Sequence, residues 1–448
     1  MNKIIQGDSV KVMKTFPPES IDLIVTDPPY GYSFMGKNWD KAVPSVEVWK
    51  ECLRVLKAGA FMFVMSAPRQ DVLSQMIVRL GQAGFETGFT SIYWAYATGF
   101  PKAMNISKAI DKKLGYKGKI ISKNKLFGRH DSGIYELNKQ GLPPRNEWNI
   151  IEVESKKAKV LDGSYAGFQP KPAVEVILVC MKPLSEKTYV EQALKNEKGV
   201  TWLDDCRIPS DHPIKTHGKR DGTGISLEWS KYKSPEGYEG NVHEGRFPAN
   251  LLVSDDVLND GKITVSKGGI RHNKTPNLGR NKIYGDSGVA EGLGIEDKGS
   301  FSRYFDLDAW WLKTVENFPE NVKRTFPFLI CPKASKGERN KGLEGAVPQS
   351  NMRVNAPRIS EEAKFKTKHK NFHPTVKPIK LMSYLVTLGS REGDVVLDPF
   401  VGSGTTCIAA EMLNRKWLGI DINVNYVEMA KKRLSKIPCK LDKFVMAE

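Results

Sequence analysis

Two short stretches of this chain carry residue types that do chemistry. The first, Asp27-Pro28-Pro29-Tyr30, follows the apolar run Ile21 to Val25, so a carboxylate stands where a buried strand should end. Proline fixes φ and has no N–H, so this turn presents acceptors in a rigid arrangement beside an aromatic ring. The second is Val395 to Thr406, VVLDPFVGSGTT, which reads as strand, glycine turn and helix, with Asp421 closing another strand 23 positions after Asp398. Gly402 and Gly404 let the backbone approach a ligand that a Cβ would block, and an acid at the second strand end can accept from ribose hydroxyls. That pattern suits an adenine nucleoside. Cys407 stands where a dinucleotide fingerprint has its third glycine, and no lysine follows as a phosphate loop needs. Taken singly, each stretch also reads as a tight turn after a buried strand, with Asp398 capping its turn and Asp421 a solvated strand end.

The elements that must position these turns follow from hydrophobic period. Lys3 to Ile5 (strand), Val10 to Phe16 (helix, capped near Asp8 or Ser9) and Ile21 to Val25 (strand) open an α/β pattern. It continues with a helix over Val46 to Val55, a strand over Ala60 to Met65, a helix over Asp71 to Leu80 and a strand over Phe89 to Ala97. Continuous apolar strands alternating with helices predict a parallel sheet covered on both faces. The regularity fades after residue 115, and Val174 to Val179 supplies one more strand. The rhythm returns from Phe326: strand to Ile330, helix Ile379 to Leu388, strand Val395 to Leu397, helix Thr405 to Leu413, strand Trp417 to Ile420, helix Tyr426 to Leu434. The expected division is 1–115 (first half of the core), 116–168 (insertion), 169–185 (returning core strand), 186–325 (a long region of short elements, with nine glycines between Gly261 and Gly299) and 326–448 (second half). The two halves must pair across the insertions to hide their strands.

Composition bounds the partners. The chain has 448 residues, and Lys+Arg 68 against Asp+Glu 51 leaves +17, a balance that favours a polyanion, nucleic acid before others. No signal-peptide h-region or membrane-spanning apolar run is present, which points to the cytoplasm and away from membranes. Six cysteines without a CxxC pair and seven histidines without HxxxH indicate neither a disulfide framework nor a metal site; buried free thiols are expected.

With these motifs in view, the chain resembles the S-adenosylmethionine-dependent DNA amino-methyltransferases of the β arrangement. The resemblance rests on Asp27-Pro28-Pro29-Tyr30, on Asp398 to Gly404 (DPFVGSG), on His373 to Pro378 (HPTVKP) and on Asp421 after Gly419-Ile420. It implies a Rossmann-like sheet ordered with the catalytic half first and the cofactor half last, and makes 186–325 the target-recognition region. Fainter likeness runs through Trp94 to Lys102 and Pro172 to Pro183. Trp94 with Gly99 to Lys102 would then rim a flipped base, though Trp94 alone reads equally as core.

The implied chemistry gives the first turn a purpose. An exocyclic amine conjugated to a base ring is a poor nucleophile, so Asp27 and the Pro28 carbonyl would accept its two N–H bonds, Pro29 would stiffen the turn and Tyr30 would stack on the extruded base. The implied cofactor is S-adenosylmethionine, with contacts from Asp8, Thr375, Lys377, Asp398, Phe400, Gly402, Ser403, Gly404, Thr405 and Asp421. Asp8 serves equally well as a helix cap. Asp at the first motif position leans towards adenine N6 over cytosine N4. Carbon-5 chemistry would need a Pro-Cys nucleophile, and Pro438-Cys439 lies in the wrong place. Double-stranded DNA is the implied partner, with a homodimer and a cognate restriction endonuclease as further candidates. The lysine-rich Ala363 to Lys370 is a candidate for phosphate contact, though such a run is more often a solvated loop, and the basic Cys331 to Gly342 is a candidate DNA-facing loop. A noncatalytic DNA-binding regulator and, more distantly, a nicotinamide oxidoreductase are the rival readings.

Overall fold

The computed structural model describes residues 1–31, 42–96, 103–116, 118–125, 147–168, 170, 173–210, 214–216, 241–254, 256–266, 270–271, 292–293, 297–318, 349–350, 368–369 and 376–437. The strand expected at Phe326 to Ile330, the segments Gly99 to Lys102 and Cys331 to Gly342, and His373 to Thr375 lie outside these residues. Of Ala363 to Lys370, only the backbone pairing of Lys368–His369 with Gln349–Ser350 is described.

Eight strands form one sheet: β1 (Lys3–Gln6), β2 (Leu23–Thr26), β3 (Phe61–Ser66), β4 (Ile92–Ala95), β5 (Val174–Met181), β6 (Leu251–Val253), β7 (Val395–Asp398) and β8 (Lys416–Asp421). Their spatial order is β1-β8-β7-β2-β3-β5-β4-β6. The two ends of the sequence therefore interleave. β7 pairs with β2 (Val396 with Leu23, Leu397 with Ile24), and β1 lies beyond β8, with Ile4 opposite Gly419.

Each apolar run is sorted by the strand period of two. Leu23, Val25, Phe61, Phe63 and Met65 face one core with Ile177, and Ile24, Met62, Val64, Val176 and Leu178 face the other. Helices cover both faces. α1 (Ser9–Met13), α2 (Val46–Val55) and α3 (Gln70–Ala83) bury Met13, Trp49, Cys52, Val72 and Met76 on one side. On the other lie α8 (Ile379–Gly389), α9 (Thr405–Met412) and α10 (Val424–Leu434), burying Leu385, Ala409 and Ala430.

One expectation is corrected: the sheet is not wholly parallel. β5 runs antiparallel between β3 and β4. α3 crosses from β3 to β4 but leaves a gap one strand wide, and β5 fills it from the opposite direction. Apolar period carries no strand direction, so the sequence pattern is the same either way.

Gly99–Pro172 forms a separate compact unit, the rest of the chain another. The smaller unit holds α4 (Ile106–Leu114), α5 (Lys156–Val160) and an antiparallel pair, Lys119–Lys125 with Glu147–Glu152. Within the larger unit, the described part of 186–325 contributes α6 (Tyr189–Asn196), the edge strand β6 and α7 (Leu307–Glu316), whose Trp310 meets the Tyr384 ring of α8 edge-on at 4.9 Å. Trp94 is fully buried and donates to Ser254 at 3.0 Å, so it is core and not rim. Among the described residues, Cys52, Cys180, Cys206 and Cys407 are buried free thiols, and no helix is long and apolar enough to cross a membrane.

Candidate active site

β2 and β7 are parallel neighbours, so Asp27 and Asp398 emerge at the same edge of the sheet. α2, which comes after β2, covers one face, and α9, which follows β7, covers the other. Connections that diverge in this way open a crevice at the strand ends, where ligands bind in open α/β sheets. Asp27, Lys377, Met382, Asp398, Phe400, Val401, Gly402, Ser403, Thr405 and Thr406 line one pocket there.

Asp398 is the fixed point of the glycine turn. Thr26 and Thr406 hydroxyls each donate to it at 2.7 Å, and the Phe400 N–H donates at 3.0 Å. Burial pushes its pKa up to about 6 against these hydrogen bonds. Asp421 accepts from the N–H groups of Gly402 (3.0 Å) and Asn423 (2.8 Å), and burial raises its carboxyl despite them. Gly404 has φ +84°, and a Cβ there would lie 3.0 Å from the Ala430 Cβ, so the close approach of α9 to α10 requires glycine. Arg433, buried on α10, reaches back to the Ser403 carbonyl (2.5 Å) and the Thr405 hydroxyl (3.3 Å) and pins the turn. Phe400 sits edge-on to Trp49 at 6.3 Å.

Both oxygens of Asp27 are engaged. Tyr30 OH donates to Oδ1 at 2.5 Å, and the Lys377 ammonium lies 2.9 Å from Oδ2. Lys377 also pairs with Glu175 at 3.1 Å and lies 5.6 Å from the Tyr30 ring centroid. Burial drives the Asp27 carboxyl upward, Lys377 pulls it back and Glu175 adds to the rise; the net direction is up. For Lys377 burial alone would lower the pKa, but Asp27 and Glu175 outweigh it and the ammonium is held firmly charged. Burial thus decides the direction for Asp27, and the two flanking carboxylates decide it for Lys377.

Of the residues singled out from sequence, Asp27, Lys377, Asp398, Phe400, Gly402, Ser403 and Thr405 meet in this pocket. Asp8 is exposed and caps α1, accepting from the Lys11 N–H at 3.0 Å. Thr375 lies outside the described residues. Glu175, Thr26, Thr406 and Arg433 were not singled out. An acid inside the apolar run VEVILVCM and an arginine on the apolar face of the last helix are the signals that mark two of them.

A family model described as DNA methylase, of the N6/N4 type, matches residues 21–254 and 276–432. The chain belongs to this DNA methylase family. Among curated relatives, this chain is 54% identical over 67 residues to the type II methyltransferase M.HpaI of Haemophilus parainfluenzae, a stretch covering 15% of this chain and 21% of that protein. It is 47% identical over 62 residues to the DNA adenine methyltransferase YhdJ of Escherichia coli, 14% of this chain and 21% of that one. The matched stretches thus span about a fifth of these relatives' length. Among solved structures, the PvuII DNA methyltransferase (cytosine-N4-specific) aligns over 96% of this chain and 85% of its own, at 15% identity and a TM-score of 0.37.

Proposed function

We propose that this methylase transfers a methyl group from S-adenosylmethionine to the N6 amino group of adenine within a specific double-stranded DNA sequence. One observation carries the reading: the Asp27 carboxylate and the glycine turn Asp398 to Thr405 line the same pocket although they lie at opposite ends of the sequence. The family match supports DNA as substrate, and the Asp-Pro-Pro-Tyr turn favours adenine over cytosine N4.

The residues present suit the cofactor. Bare backbone at Gly402, the Phe400 ring and the Asp421 carboxylate at a strand end are the donor set and surfaces a nucleoside needs. Gly402, Ser403, Thr405 and Asp421 would hold the adenosine portion, with Lys377 and Met382 towards the reacting end. When bound, S-adenosylmethionine supplies an electrophilic methyl, and the electron pair of the broken C–S bond leaves with sulfur.

The protein's part is orientation and charge. Asp27 and the Pro28 carbonyl accept the two N–H bonds of the amine and draw its lone pair out of conjugation, so that nitrogen forms the new bond to carbon. The nitrogen then carries one proton too many. Asp27, whose carboxyl is raised, takes that proton or passes it to water. Tyr30, fixed by its bond to Asp27, offers a ring face to the extruded base; such stacking contributes roughly 1–3 kcal/mol, comparable to the cost of extrusion. By the family resemblance, a homodimer and a cognate restriction endonuclease are candidate partners.

The test is transfer of radiolabelled methyl to DNA followed by sequencing that reports modified bases. Wild type is expected to leave N6-methyladenine at one motif, and Asp27→Ala to abolish transfer while keeping donor affinity within about threefold, because Asp27 acts on the amine. N4-methylcytosine in the product would replace adenine as the target. DNA binding without any transfer would make the protein a regulator.

A further inference from the structure

Glu175 owes its position to the reversed direction of β5. Parallel strands bring their carboxyl ends to the catalytic edge, but β5 is antiparallel, so its start lies there: Val176 pairs with Ser66 and Glu175 with Trp94, at the ends of β3 and β4. The strand is otherwise apolar. The Glu175 side chain is 15% exposed, with Oε2 3.1 Å from Lys377 Nζ and Oε1 3.5 Å from Tyr96 OH. Lys377, 8% exposed, thus has a carboxylate on either side, Asp27 at 2.9 Å and Glu175 at 3.1 Å.

Neutralising Asp27 would require one cation and nothing more. A second buried carboxylate is costly to desolvate, by several kcal/mol per ion before pairing, so it makes a poor device for stability alone. Its electrostatic effect is specific. With both acids ionised the cluster carries one negative charge in excess, beside the place where the attacking nitrogen turns cationic. It also gives Lys377 a second anchor, so the ammonium can lean away from Asp27 as the amine N–H arrives.

We propose that Glu175 is a positioning residue for methyl transfer: it shares Lys377 with Asp27, keeping an acceptor on Asp27 available to the amine and the cluster net negative as positive charge develops. The inference rests on the methyl-transfer reading above. The charged and titratable groups facing Asp27 are Tyr30 from its own turn, Lys377 from the segment entering α8, Glu175 from β5 and Asp398 from β7, and Tyr96 faces Glu175. Glu175 adds to the upward pressure on the Asp27 carboxyl and Lys377 opposes it.

The experiment uses the full chain as wild type, Glu175→Gln, Glu175→Asp and Lys377→Met. Glu175→Gln is expected to lower kcat about tenfold or more while donor affinity, measured by calorimetry with S-adenosylmethionine, stays within about twofold. The acidic limb of its kcat/KM profile moves down by roughly one pH unit, and that of Lys377→Met moves up. Glu175→Asp restores part of kcat. Titration of the Asp27 carboxyl by 13C NMR gives the same shifts without turnover. An unchanged profile and titration in Glu175→Gln, whatever its melting temperature, overturns the proposal. If wild type itself methylates no DNA, the functional reading falls, and the role in methyl transfer falls with it; the NMR shift then reports only whether the three charges are coupled.

Discussion

Asp398 shows how a single buried carboxyl acquires a pH dependence. Its folded pKa is about 6 against 3.8 when unperturbed, so between those values the folded state holds a proton that the unfolded chain has lost. Its contribution is therefore most favourable below about pH 4 and is lost as pH rises through 6, a cost of about 3 kcal/mol at neutral pH. Asp398→Asn keeps the shape and removes the titration. The expected outcome is that denaturation midpoints of wild type fall relative to the variant between pH 4 and 7; parallel curves would contradict the assigned cause. Holding a carboxylate in this place costs stability even though Thr26, Thr406 and the Phe400 N–H converge on it.

At the scale of elements, the end of the β2–β7 pair opposite the candidate site carries its own ionic clamp. Asp22 lies 2.6 Å from Lys57 and 2.9 Å from Lys198, accepts the Val395 N–H at 2.9 Å, and Lys198 continues to Asp394 at 3.1 Å. Burial pushes the Asp22 carboxyl up, but Lys57, the Val395 N–H and Lys198 outweigh it and hold the group below its usual range. Its stabilisation is thus present at neutral pH and fades as acid carries the solution through that lowered pKa. Asp22→Ala leaves Lys198 buried with one partner fewer, and urea denaturation is expected to show a loss of about 3 kcal/mol. Most core elements are legible in the sequence because their apolar runs are long: α2 occupies the expected Val46–Val55, β7 runs one residue past its expected end, and β8 is one residue longer at each end. The direction of β5 was not legible, since alternation reads identically from both ends. For the same reason the sequence gives no sign that Glu175 reaches the candidate site, or that Lys377 stands between two carboxylates. Ion partners about 200 and 350 residues apart leave no local pattern.

For the whole molecule, the consequence of interleaved ends is mutual dependence. β2 is hydrogen-bonded to β7 on one side and β3 on the other, so neither half of the sheet buries its strands alone. Hydrogen exchange on the intact chain is expected to place amides of Leu23–Thr26 and Val395–Asp398 together in the slowest class, opening only with global unfolding. Earlier exchange of one group would mean the halves separate while the rest stays folded. The N–H of Val395 meets Asp22 across 373 positions of sequence. At about 5–20 residues per second on the ribosome, roughly 20–75 s separate the synthesis of β2 from that of its neighbour. Throughout that interval the nascent polypeptide has an open β2 edge, a natural client for chaperones, until β7 emerges to cover it.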